Sequence, residues 1–115
     1  MVLVLLLLLS GTVSVGNGAF AAEGLSVRTH NMDEARKLNR EAIDLQSRGQ
    51  LNDACELYRK AIALYPGGGA YHNNFAVLLK EMGEYEAAEK EARQALALKP
   101  ARADYHFNLG LILMK

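Results

Sequence analysis

The sequence has only one cysteine, only two prolines and no surplus of either charge. A lone Cys55 forms no disulfide within the chain, so the fold is not stapled, and Cys55 reads as a small apolar residue on a helix. The 13 basic and 13 acidic residues cancel. That balance leaves no basic excess to neutralise phosphates, which excludes a nucleic-acid or anionic-membrane partner as the organising function. Half of the 115 residues are apolar, enough for one modest core and no more than one domain.

Charge is missing altogether from Met1 to Ala22. Val2 to Leu9 is nearly pure Leu and Val, Ser10 to Gly18 turns small and polar, and Ala19-Phe20-Ala21 supplies small residues around a cut site. This order predicts a secretory signal over residues 1–21, cleaved after Ala21, although no Lys or Arg stands near Met1. The competing reading is an uncleaved anchor of about 20 residues. The expected localisation is therefore exported, periplasmic or secreted, with a membrane tether only if the segment stays uncut.

Residues 22–34 read as an exposed leader, since Glu23 to His30 has no periodicity. Asn31, three residues before Glu34, has the form of an N-cap with its reciprocal carboxylate. From there Ala35, Leu38, Ala42 and Leu45 recur at helical steps, and Gly49 has the place of a left-handed C-cap. A second helix from about Asn52 carries Ala54, Leu57, Tyr58, Ala61, Ile62 and Tyr65 to its stop at Pro66. Joined by a turn of about three residues, the two must fold back on each other. Gly67, Gly68 and Gly69 follow and read as a hinge. Tyr71, Phe75, Leu78, Leu79 and Met82 then mark a third helix closed by Gly83, and Tyr85, Ala88, Ala92, Ala95 and Leu96 a fourth. On its outer face Glu86 with Lys90 and Glu89 with Arg93 are spaced for i,i+4 ion pairs. Pro100 ends it, and a fifth helix runs from about Ala103.

These helices are copies of one unit. Gly49 and Gly83, Ala54 and Ala88, Ala61 and Ala95, Leu64 and Leu98, and Pro66 and Pro100 are each 34 residues apart. Tyr71, His72 and Asn74 are answered at the same interval by Tyr105, His106 and Asn108. Helix hairpins of this period, with Gly at the inner turn, small Ala at the crossing and Pro at the end, resemble the tetratricopeptide repeat family. YHFNLGLIL resembles the family's first-helix motif. His72 and His106 depart from it where a Trp is common, and Glu41 stands where a Leu is usual.

The resemblance implies an all-α fold of antiparallel helix hairpins in a right-handed superhelix, with repeats at 35–68 and 69–102 and a truncated one at 103–115. It also implies a concave groove that takes a peptide or partner protein. Carried over residue by residue, the groove would be lined by Arg36, Asn39, Arg40, Ile43, Gln46 and Ser47. Asn73, Asn74, Val77, Lys80 and Glu81 would continue it, then Asp104, Phe107, Asn108 and Leu111. Asn74 and Asn108 resemble an asparagine ladder, whose amides both donate and accept as a peptide bond does. The family's clamp for a C-terminal carboxylate is not matched, because of its basic and amide positions only Asn74 is kept.

No nucleophile, base and orienting acid are grouped, so a non-enzymatic interaction scaffold is expected, with no cofactor and no metal. His72 and His106, equivalent residues of neighbouring hairpins, should stand about 10 Å apart, too far to share an ion. The alternative is that the repeats form the N-terminal segment of a larger membrane-bound or secreted enzyme such as a glycosyltransferase. The last helix stops in mid-hairpin and is expected to present Leu109, Ile112 and Leu113 to a missing neighbour. Self-association through that face, or continuation in a longer chain, is the expected remedy.

Overall fold

A computed structural model describes residues 2–115, with side chains from Ala22 onward. Five helices follow in order: α1 (Val2–Ser47), α2 (Leu51–Leu64), α3 (Gly69–Glu81), α4 (Tyr85–Leu98) and α5 (Ala103–Leu113). The chain divides into two units, Met1–Asn31 and Met32–Lys115. The expected signal segment, residues 1–21, lies outside the residues whose side chains are described. Among the described residues no helix is long and apolar enough to cross a membrane.

The helix start expected at Asn31 is corrected, because Asn31 lies inside α1. Glu23 to His30 contains no proline, and Gly24 alone does not stop the turn. Periodicity fails there for a different reason: every residue of that stretch is exposed, so no face is selected to be apolar.

In the second unit, hairpin turns explain the chain reversal. Gly49 and Gly83 adopt φ of 78° and 81°, the left-handed region that a Cβ disfavours. Each turn is closed by the same two bonds. Gly49 N donates to Gln46 O at 3.0 Å and Gln50 N to Leu45 O at 2.9 Å; Gly83 N donates to Lys80 O at 3.0 Å and Glu84 N to Leu79 O at 2.8 Å. This is a Schellman closure made twice, and it satisfies carbonyls that the helix ends leave open.

Packing then follows from side-chain size. Ala42, Ala54, Ala76, Ala88 and Ala92 are fully buried in one core, and α3 packs against α2, α4 and α5. Small residues let the helix axes approach, and a few large ones fill the rest: Tyr58, Leu78 and Ile112 are the bulkiest side chains with no exposure. Tyr58 and Phe75 meet with ring centroids 6.0 Å apart.

Three further expectations change. Ile112 is not on an open face, since it is 1% exposed within the common core; what α5 leaves open is Phe107, Leu113 and Met114. Glu86 pairs with Lys115 at 3.5 Å rather than with Lys90, whereas Glu89 does meet Arg93 at 2.9 Å. Lys115 reaches Glu86 from beyond α5 and also lies 5.2 Å over the Tyr85 ring, a second contact that helps to hold it there. Finally, two of the three glycines, Gly68 and Gly69, stand at close approaches that their composition alone does not announce. A Cβ at Gly68 would run into the Tyr71 ring, and one at the buried Gly69 would stand 3.0 Å from Lys99 Cγ and 3.5 Å from Tyr105 Cε2.

The junction between hairpins is pinned by histidine. His72 Nε2 donates to Pro66 O at 2.9 Å, and one period later His106 Nε2 donates to Pro100 O at 2.8 Å. His72 Nδ1 also meets Glu91 Oε2 of α4 at 2.7 Å. These bonds account for both histidines through packing of the proline turns. Among the described residues no three potential ligands gather for a metal.

Candidate functional site

Residues from α1, α2, α3 and α5 enclose one open cavity of about 540 Å³. Ile43, Gln46 and Ser47 come from α1, Tyr58 from α2, Asn73, Asn74, Val77 and Glu81 from α3, and Asn108 from α5. The helical period explains the set, because Asn73 and Asn74, Val77, and Glu81 fall on successive turns of one face. Except for Tyr58, all belong to the expected groove.

The remaining expected groove residues are placed otherwise. Asn39 sits behind the cavity as the acceptor for Asn74. Arg36 is paired with Asp33 at 3.3 Å and Asp104 with Arg102 at 2.8 Å, while Arg40 is exposed and does not line the cavity. Lys80 lines a smaller adjoining cleft with Val77 and Glu81. Phe107 is exposed and Leu111 half-buried, both outside the cavity.

The amides form cross-links between hairpins. Asn74 Nδ2 donates to Asn39 Oδ1 at 3.1 Å, and Asn108 Nδ2 donates to Asn73 Oδ1 at 3.1 Å. Each bond spans 35 residues, one more than the repeat, so each hairpin is tied diagonally to the one before it. One N–H of each donor is consumed, and its carbonyl and second N–H remain available.

Tyr58 was not among the expected groove residues, because its place on the apolar stripe of α2 marks it only as core. A usable signal existed: a buried tyrosine must find a partner for its hydroxyl. It donates to Gln46 Oε1 at 3.0 Å, and Gln46 Nε2 in turn donates to Glu81 Oε2 at 3.4 Å. Burial, and then the negative charge of Glu81, pushes the Tyr58 phenol up to about 12. Outside the cavity lining the Tyr71 phenol is also raised, by burial first, with Arg36 pulling it back. Paired charges are perturbed in the opposite sense: the hydrogen bond from Arg102 holds the Asp104 carboxyl below its usual range.

A stack of helix hairpins with an amide-lined concave cavity defines a helical-repeat protein. Three family models match it as tetratricopeptide repeats, over residues 42–65, 57–90 and 78–115. This chain belongs to the tetratricopeptide repeat family. Among solved structures it is similar to the Sgt2 TPR domain from Aspergillus fumigatus, with 27% identity and a TM-score of 0.68 over 70% of this chain and 54% of that one. The chain thus spans about half of that domain's length. The Arabidopsis OM64 TPR domain matches at 20% identity and TM-score 0.70, covering 73% of this chain and 69% of that one. The second TPR of Spaghetti (RPAP3), bound to HSP90 peptide SRMEEVD, matches at 20% identity and TM-score 0.74, covering 77% and 82%. The latter two likenesses concern the fold alone. No curated protein sequence matches the chain.

Proposed function

We propose that this protein is a non-enzymatic interaction scaffold that holds an extended segment of a partner protein in the cavity between α1, α3 and α5. The observation that carries this reading is the pair of fixed amides, Asn74 and Asn108, aimed from successive hairpins into one concave space that also exposes Ile43 and Val77. Fixed amides suit the repeating N–H and C=O of an extended backbone, and the apolar pair suits one side chain of it. The Spaghetti domain holds a peptide, SRMEEVD, that is rich in acid. Among the described residues this cavity has no cation in its lining, and a segment of another kind suits it.

The test is selection from a displayed library of random eight-residue segments on the full chain. Ile43→Ser with Val77→Ser should weaken the selected segments about tenfold, as expected for losing part of two apolar contacts. Selection that yields nothing, or segments indifferent to the double change, would sink the reading.

Export belongs to the same reading, supported by the uncharged run before Glu23 and the small residues at Ala19 and Ala21. An N-terminus of the mature protein at Ala22 is expected, and one at Met1 would mean a tether instead. Self-association through α5 is supported by Phe107, Leu113 and Met114, exposed by 65%, 51% and 80%. Sedimentation of the full chain should show association that Leu113→Glu abolishes; a monomer at every concentration removes this part.

A further inference from the structure

We infer that the partner segment carries a lysine or arginine whose stem lies on Ile43 and Val77 and whose charged head pairs with Glu81. The inference rests on the groove reading and adds the chemistry of its occupant.

Among the described residues Glu81 is the only charged side chain lining the cavity. It makes no ion pair among the described residues, and its single side-chain partner is Gln46, through Oε2 at 3.4 Å. Oε1 takes no hydrogen bond from the described protein atoms. Among the described residues no cation pairs with it: Arg36 is held by Asp33, Arg40 does not line the cavity, and Lys80 shares the adjoining cleft with Val77 and Glu81 without forming an ion pair.

The other polar groups point to the same occupant. The Ser47 hydroxyl proton is given to Asp44 O at 2.7 Å, so that hydroxyl offers lone pairs only. Asn74 and Asn108 have each spent one N–H and kept the carbonyl and a second N–H. Glu81 Oε1, the Ser47 oxygen and the two Asn carbonyls are thus open acceptors, which a donor-only group can satisfy. Ammonium has three N–H donors and guanidinium five, and neither has an acceptor.

Shape agrees with charge. Val77 and Glu81 are one helical turn apart on the same face of α3, about 6 Å along the axis. Ile43 and Val77 are 46% and 37% exposed, an apolar bed before the carboxylate. A long basic side chain matches that order, since its methylene stem covers apolar surface while its head reaches a polar rim. An acidic segment would meet Glu81 with like charge.

The same displayed library decides the matter, with the wild-type chain, Glu81→Gln and Glu81→Lys selected in parallel. Glu81 is exposed, so both variants keep the fold, which helicity verifies. Wild type should enrich Lys or Arg at one position and deplete Asp and Glu. Individual segments from that pool should bind Glu81→Gln about fivefold more weakly, the scale of a solvent-accessible ion pair, and the difference should shrink in high salt. Glu81→Lys should reverse the preference toward acid. Segments enriched without charge preference, or with one unchanged by Glu81→Gln, overturn this inference and leave the groove reading standing. A library that yields no binder overturns both.

Discussion

Raising the pH tests the buried end of the site through Tyr58. The phenol is neutral while protonated, and its folded-state value, about 12, lies above the ordinary 10.0. The folded protein therefore holds this proton more tightly than the unfolded chain does. Stability from this source is complete below about pH 10 and is lost as pH rises through about 12. A shift of about two units corresponds to about 2.7 kcal/mol at the limit, and about 1.4 kcal/mol is gone by about pH 11. Tyr58→Phe has no such loss. At neutral pH it gives up the bond to Gln46, whose half-buried amide still reaches water, at about 1 kcal/mol. The two stability profiles from urea unfolding should thus cross near about pH 11, with the variant weaker below and stronger above. The other tyrosines are common to both proteins and cancel in the difference. Parallel profiles would refute the account of Tyr58. The Glu81 contribution has its own sign: in Glu81→Gln the phenolate absorbance of Tyr58 should appear at lower pH, because a charge opposing ionisation is gone.

Other substitutions probe the frame around the site. His72→Ala removes the partner of both Pro66 O and Glu91 and should cost about 1–3 kcal/mol in urea unfolding, whereas the exposed His106→Ala should cost less than about 1 kcal/mol. Gly68→Ala forces the Tyr71 ring aside and should destabilise by about 1–3 kcal/mol, while Gly67→Ala, with no neighbour nearer than 3.8 Å, should be close to neutral. Equal melting of the two variants would return the triple glycine to the role of a flexible linker. Gly49→Ala and Gly83→Ala should each cost about 1–2 kcal/mol through the left-handed turn alone, since open space surrounds both.

Elements that repeat were legible in the sequence, because a 34-residue interval states the same helix, turn and stop twice. Gly49 and Gly83 were readable as left-handed for that reason, whereas the residues that line the cavity were named through the resemblance to the repeat family and not through a pattern of their own. What was not legible depends on neighbours that no local pattern names. The solvent-surrounded turns from Glu23 to His30 are helical without an amphipathic stripe to announce it. Ile112 is counted outward by its spacing, yet it reaches the shared core. Glu86 has a base four residues on, but a lysine distant in sequence takes it. Tyr58 carries two roles at once, core ring and cavity hydroxyl, and periodicity reports only the first. In the asparagine cross-links the step is 35 rather than 34 residues, an offset that arises only when hairpins are stacked.

Pro66 and Pro100 each end a helix, and each has its carbonyl held by a histidine six residues later. The connection from one hairpin to the next is therefore a braced corner: it cannot swing until a side chain on the following helix lets go. With the corners braced, widening or narrowing of the concave face must be taken up by tilting whole helices against their alanine crossings. A load on that face would be shared along the stack, as in a spring of stiff leaves, rather than concentrated at a joint.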